Sequence, residues 1–317
     1  MTGFFRLPWQ GLFSADGGNY GRGGIRRYLQ IVRLPNLFTA PSNVVVGYLT
    51  ITPLPELNVF SLATLMISST LLYVSGVVFN DYFDLETDRK ERPSRPLPSG
   101  TISGRAALGM AIGSMSAAII IASAVSVPSL IVTIGLSGVI IAYNYNMKRG
   151  SRSGPLTMGG ARFLNVVLGA SQALSHTGRL NFDHTLFAGA CIFAYVVAIT
   201  VLSRSEVSGT SSKGLVIIPF LGLYFIIAAS AAATFTGMFG AWDLIILGPL
   251  AVIVTLVFKN TLPGSGGSIQ SGIKNLVLSI IILDSVFITG TSGPLPGLLN
   301  LLLLLPAFLS ARYFYVT

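Results

Sequence analysis

Charge is scarce in this 317-residue chain: Asp, Glu, Lys and Arg together make 10% of it, against the roughly 25% of an ordinary soluble domain. That shortage argues against a soluble globule with unusually buried helices. Cysteine occurs once, at Cys191, which excludes a disulfide framework and a thiolate metal site and leaves a small packing residue. The two histidines, His176 and His184, fall around a single connection and read as interfacial residues. No strict alternation of apolar and polar residues runs through the chain, so a closed transmembrane barrel is excluded as well. Nor does an apolar core with a cleavage site stand near the amino end. Residues 1–27, with "ADGGNYGRGG", read as a flexible cytoplasmic segment and not as a signal peptide.

What remains is apolar. Hydrophobic residues make up 52% of the chain and the mean hydropathy is +0.73, in repeated runs of helical length. In lipid each spanning run must satisfy its own backbone, so the chain is expected to be all-α, a polytopic membrane helical bundle. Apolar segments fall at roughly 35–54, 58–80, 104–126, 128–146, 156–175, 184–203, 214–236, 242–259, 272–290 and 295–316. That is ten spans, or nine if "GTSGPLPG" is a re-entrant break. Basic residues test the count, because they collect in alternate connections when the spans are drawn correctly. Arg6, Arg22, Arg26, Arg27 and Arg33 precede the first span; Arg89, Lys90, Arg92, Arg95 and Arg105 follow the second; Lys148, Arg149 and Arg152 follow the fourth. Arg204 and Lys213, Lys259 and Lys274, and Arg312 continue the series, and only Arg179 lies in a connection of the other class. Both termini are therefore expected on the cytoplasmic face, in a plasma or an organelle membrane. A net charge of +9 then follows from topology and anionic headgroups, and no nucleic acid is needed as a partner.

Against this background "NDYFDLETDRKERPSRPLPSG", residues 80–100, gathers five of the eleven acids and four bases. If the second helix continues past the membrane surface, Asp81, Asp84 and Asp88 lie along one face. Converging carboxylates repel unless a cation sits between them. Hard oxygen donors of this kind suit Mg²⁺, which is usually completed by substrate phosphates. Arg89, Arg92 and Arg95 would take phosphate oxygens that the metal leaves free. The alternative is a solvated loop of mixed charge.

Asn80, Asp81, Asp84 and Asp88, followed by "RPLPSG", resemble the first aspartate-rich motif of the UbiA superfamily of intramembrane prenyltransferases. "RLPNLFTAPSNVVVGYL" (33–49) resembles the first helix of that family, and "YNYNMK" (143–148) its Tyr-and-Lys element after the fourth helix. The helix order matches over roughly residues 28 to 290. The resemblance implies a helical bundle around a central cavity, here residues 28–317, in which Mg²⁺ holds a prenyl diphosphate between two aspartate-rich motifs. The diphosphate leaves and the allylic carbon alkylates an acceptor. Catalysis would rest on Asp81, Asp84, Asp88 and Lys148, with Asn80 and Tyr143 among the substrate contacts. Release of diphosphate needs positive charge at the leaving group, and a lipid-embedded cavity keeps water from the allylic cation. Lys148 also sits where a snorkelling lysine would.

The chain departs from the family at the second motif. At "LSRSEVSGTSSKG" (202–214) only Glu206 is acidic; Ser203 and Ser205 stand where carboxylates are expected, with Arg204 among them. Either Arg204, Lys213 and Lys148 contact phosphate in place of a second metal, or the diphosphate chemistry is weakened or lost. With "MGGARFLNVVLGAS" (158–171) the stretch resembles a UbiA-like subgroup encoded in ebo gene clusters, a likeness that supplies no acceptor.

Polar residues inside the spans are few enough to weigh singly. Arg162 and Asn165, one turn apart, are candidates for diphosphate or acceptor contact, although Arg162 is also close enough to a helix end to be interfacial. Asn36 and Asn43, seven apart, either line the cavity or join helices, and Asp284 needs a Ser, Thr or Lys partner. Three classes of function stay open: a Mg²⁺-dependent prenyltransferase acting on a lipophilic or aromatic acceptor, a noncatalytic prenyl- or lipid-binding component, and a transporter. No obvious repeat with paired broken helices supports the last.

Overall fold

Polar residues and prolines break the first apolar stretch into pieces. The computed structural model describes residues 20–175, 182–207, 213–262 and 269–314. Its first element is α1 (Tyr20–Ile31), with Arg26 and Arg27 exposed and Ile31 buried. Residues 20–27, expected in a flexible segment, fall within this helix. Residues 1–19, including Arg6, lie outside the described residues. Arg33 then turns the chain through a left-handed conformation, φ +48°, into α2 (Leu34–Leu37) and α3 (Thr39–Leu49).

The long elements follow: α4 (Val59–Phe83), a short α5 (Leu85–Glu91), α6 (Gly104–Ser123), α7 (Val127–Tyr145), α8 (Ser153–Ala170), α9 (Asp183–Val207), α10 (Lys213–Phe235) and α11 (Leu244–Thr261). Four shorter helices close the chain: α12 (Ile269–Leu278), α13 (Ile280–Ser292), α14 (Pro294–Leu301) and α15 (Leu304–Ala311). Every regular element among the described residues is a helix. Side chains of Asn58, Ser103 and Ser126 cap α4, α6 and α7 by accepting an N–H of the first turn.

Eight of the ten expected spans are long and apolar enough to cross a membrane. The other two, at 35–54 and 156–175, form helices but do not meet that measure. α3, at 11 residues, is too short, and α8 carries Arg162 and Asn165 along its 18 residues. Almost all of α3 is buried, and it packs on α4, α8 and α13. "GTSGPLPG" is not a re-entrant break; Gly293, at φ +88°, turns between two span-length segments, 269–292 and 294–311.

Glycine sets the distance between the two inner helices. A Cβ at Gly47 would stand 1.8 Å from the Val166 carbonyl oxygen, and one at Gly169 would stand 2.1 Å from that of Val44. Two backbones in contact leave no slack.

Candidate functional site

One face of α4 organises the site. Ser69, Tyr73, Gly76 and Asn80 recur at helical spacing and line a cavity of about 260 Å³. Leu72, Leu136, Ile140 and Met158 give it apolar walls; Arg33, Tyr143 and Arg162 are among the polar groups that line it.

At the cavity mouth the acidic motif is held by bases. The α-helix ends at Asp84 (φ −93°, ψ 3°) and restarts as α5, so Asp81, Asp84 and Asp88 do not form one converging row. Instead they fall into two groups. Asp81, 4% exposed, accepts a bond from Arg33 Nη2 at 2.9 Å, while Arg95 Nη1 stands 3.8 Å from Asp81 and 2.8 Å from Asp88. Asp84 pairs with Lys148 Nζ at 2.7 Å, and the same nitrogen lies 3.4 Å from Asn80 Oδ1. Among the described residues no three Asp, Glu, His or Cys side chains come together as a metal group. In donor chemistry the carboxylates suit Mg²⁺, yet in this arrangement Arg95 stands between Asp81 and Asp88 where a cation belongs.

The bases expected to clamp phosphate separate. Arg95 is at the mouth. Arg89 is exposed and bonds Glu86 at 2.8 Å along its own helix, and Arg92 is exposed beyond the end of α5. Both point away because α5 presents only the Asp88 edge to the bundle.

Arg204 is engaged by the backbone of the loop after α7. Its guanidinium donates to the carbonyls of Lys148 (2.7 Å), Gly150 (2.7 Å) and Ser151 (2.8 Å), clamping the loop that carries Lys148. Gly154 makes room for it, since a Cβ there would meet Arg204 Nη2 at 2.1 Å. Ser203 turns back to the Thr200 carbonyl. The side chains of Ser205, Glu206 and Lys213 lie outside the described residues, as do Arg179 and His176.

Deeper in, Asn165 is a structural tie. Its Oδ1 accepts from Ser69 and its Nδ2 donates to the Ala40 carbonyl, both at 2.8 Å, so its amide joins α8 to α3 and α4. Arg162 lines the cavity and donates to Thr39 Oγ1 (2.8 Å) and Asn43 Oδ1 (3.1 Å). Asn43 passes the contact on: its Nδ2 donates to both oxygens of Asp284, which Ser42 also donates to at 2.5 Å. Asn43 is therefore both helix glue and second layer to the cavity, and the partners of Asp284 are a Ser and an Asn. Asn36 hydrogen-bonds Tyr73. Away from this site, His184 bonds the Met238 carbonyl and packs edge-on against Phe239, and Cys191 is buried.

Two residues escaped the sequence reading. Arg33 was counted only as a flanking base, and Tyr73 was not singled out. The signal for Tyr73 was present: it stands seven residues before Asn80, hence on the same helical face. Nothing in sequence points Arg33 inward, because its left-handed turn is set by how α1 meets α2.

Comparison with known proteins matches residues 41–261 to the model of the UbiA prenyltransferase family. A digeranylgeranylglyceryl phosphate synthase of Metallosphaera sedula is 28% identical over 142 residues, 45% of this chain and 50% of that protein. The chain spans about half the length of that relative. A UbiA homolog from Archaeoglobus fulgidus, in a structure bound to DMAPP and Mg²⁺, is similar in fold with TM-score 0.59 at 15% identity, over 86% of this chain and 98% of the other. An apo UbiA homolog from Aeropyrum pernix K1 gives TM-score 0.64 at 15% identity, over 80% and 97%. Similarity at that identity speaks for the fold.

Proposed function

Since this chain belongs to the UbiA prenyltransferase family and is an integral membrane protein, we propose that it transfers a prenyl group from a prenyl diphosphate to a lipophilic or aromatic acceptor. The observation that carries this reading is the mouth itself: Arg33, Arg95 and Lys148 gather over three carboxylates at the open end of an apolar cavity. The relative's name and the DMAPP–Mg²⁺ complex of the fold neighbour agree with it.

In this reading Asp81, Asp84 and Asp88 would hold Mg²⁺. The ion would supply positive charge to the departing diphosphate. The protein's own part is broader. Lys148 and Arg95, released from their carboxylates, bind phosphate oxygens, and Arg33 supports them from the cavity rim. Leu72, Leu136, Ile140 and Met158 exclude water from the allylic carbon, while the faces of Tyr73 and Tyr143 stabilise positive charge there. The mouth and both termini lie on the cytoplasmic side, by the distribution of basic residues.

A titration of prenyl diphosphate with and without Mg²⁺, read beside diphosphate release, tests the proposal. Asp84→Asn should weaken binding and remove its metal dependence; Mg²⁺-dependent binding unchanged in that variant would reject the site. One observation favours a second reading. With Arg204 committed to backbone carbonyls, the second stretch brings no described side chain to phosphate. A noncatalytic prenyl-binding component would bind prenyl diphosphate and release no diphosphate with any acceptor offered.

A further inference from the structure

A second cavity, of about 320 Å³, lies between α11, α12, α13 and α15 and shares no lining residue with the first. Ile253, Leu256, Leu278, Ile282, Leu304 and Phe308 give it apolar walls, while Asn260 and Asn275 stand at one end. From Ile253 to Asn260 it runs about 10 Å along α11, at the rise of an α-helix. Leu256 and Phe308 are exposed on span-length segments, so the groove opens toward lipid.

The asparagine end carries cations. A Cβ at Gly272 would stand 2.6 Å from Thr261 Cγ2, so the end of α11 abuts the start of α12, and Lys259 and Lys274 flank that junction. Lys274 Nζ donates to the Ala311 carbonyl at 3.4 Å, which brings Arg312 to the same end. Lys259 and Arg312 are exposed and Lys274 is half-buried. Both α12 and α15 pack on α2, the helix that follows Arg33, so this is the end of the bundle that bears the acidic motif.

These three bases lack the partners that the others have. Arg33, Arg95 and Lys148 meet carboxylates, and Arg204 meets carbonyls. Beyond Leu244 the only acid in the sequence is Asp284, which is fully buried and taken up by Ser42 and Asn43. Among the described residues no carboxylate pairs with Lys259, Lys274 or Arg312. Snorkelling requires no convergence of such residues. Here they meet at the mouth of one groove.

We propose that the groove holds an anionic phospholipid of the leaflet on that face, with one acyl chain between α11 and α15 and the phosphate among Lys259, Lys274 and Arg312. Basic pockets between transmembrane helices take anionic head groups in this way; the charges give selectivity and the buried chain adds affinity. A zwitterionic lipid fits less well, because its own ammonium competes for the phosphate. A second copy docked about a two-fold axis would set the three bases against their counterparts. Prenyl diphosphate has its own bases at the first cavity. Lipid binding here does not depend on the prenyltransferase reading, and a chain without that activity would still bind it.

The full chain in a neutral detergent is incubated with phosphatidylglycerol or with phosphatidylcholine of the same acyl chains, then freed of excess lipid by gel filtration, and retained phosphorus is measured per chain. Wild type should retain at least about ten times more of the anionic lipid. Lys259→Gln, Lys274→Gln and Arg312→Gln together should abolish that preference, while Arg105→Gln, an exposed base outside the groove, should leave it. Leu256→Trp should lower retention with all three bases in place, and an exposed position tolerates it. Equal retention of the two lipids by the wild type overturns the proposal. So does a triple variant with the wild-type preference, a loss in Arg105→Gln as large as the triple variant's, or Leu256→Trp that retains as much lipid as the wild type. If the triple variant fails to fold, Lys259→Gln with Arg312→Gln, both at exposed positions, decides. A lipid-free dimer that Leu256→Trp breaks would give the groove to a second copy and overturn the proposal as well.

Discussion

At the scale of the residue, Arg204 shows how a side chain can matter to a site it does not touch. Three charge-assisted bonds to backbone carbonyls hold the loop after α7, and Lys148 reaches Asp84 from that loop. Each such bond is worth about 1.5–3 kcal/mol. Arg204→Ala should therefore weaken prenyl diphosphate binding about tenfold or more by freeing Lys148, since 1.4 kcal/mol is a factor of ten. Arg204→Lys should not restore it, because one ammonium cannot span three carbonyls as the planar fork does. Gly154→Ala, whose Cβ would take the place of Arg204 Nη2, should reproduce the loss. Binding titrations of the three variants against Lys148→Ala check this. If Arg204→Ala binds as the wild type does, the clamp has no bearing on the site. The sequence marks Arg204 as a base beside the second stretch, but residue order does not reveal that its guanidinium meets the carbonyls of the loop after α7.

At the scale of the element, α3 and α8 are the inner pair, and glycine lets them touch. Gly47→Ala and Gly169→Ala should each force the helices apart and destabilise the protein by about 1–3 kcal/mol, as overpacking does. Midpoints of heat-induced loss of the monodisperse peak in detergent would show it; unchanged midpoints would mean that the helices are free to separate. The same pair marks where sequence reasoning met its limit. The long outer helices α4, α6, α7, α9, α10 and α11 were legible because lipid demands an apolar surface of a certain length. The inner helices turn polar side chains toward the cavity and one another, so Asn43, Arg162 and Asn165 interrupt their apolar runs. Acid spacing on α4 was legible too, but the end of the helix at Asp84 was not. Nor were the partners of the acids, since Asp84 meets Lys148, 64 positions away in the chain, and Arg33 and Arg95 pair with the other two.

At the scale of the whole molecule, contacts gather one end of the bundle. Arg33 meets Asp81, Lys148 meets Asp84, and Arg204 meets the loop after α7, so the ends of α4, α7 and α9 and the starts of α2 and α8 share one side. Arg92 and Arg152 should therefore label from one membrane face and Arg179, in the connection between the fifth and sixth segments, from the other. Single-cysteine accessibility at the three positions would check it, and labelling of position 179 together with position 92 would sink the topology. The buried place of α3 and α8 bears on how the chain enters the membrane at all. An insertion machinery reads each segment's apolarity as it emerges, and an Arg at the centre of a helix counts about 2.5–3.5 kcal/mol against entry. The fifth segment thus arrives as a poor passenger, and the first, short and broken, as an uncertain anchor. Both become stable only when later helices wall them off from lipid: α9 closes over α8, and the Asp284 that completes the network of Arg162 is made late, on α13. Truncation before α13 should leave an Arg162 without its remote counter-charge, so that quality control of a nascent chain would fall on its carboxyl-terminal third.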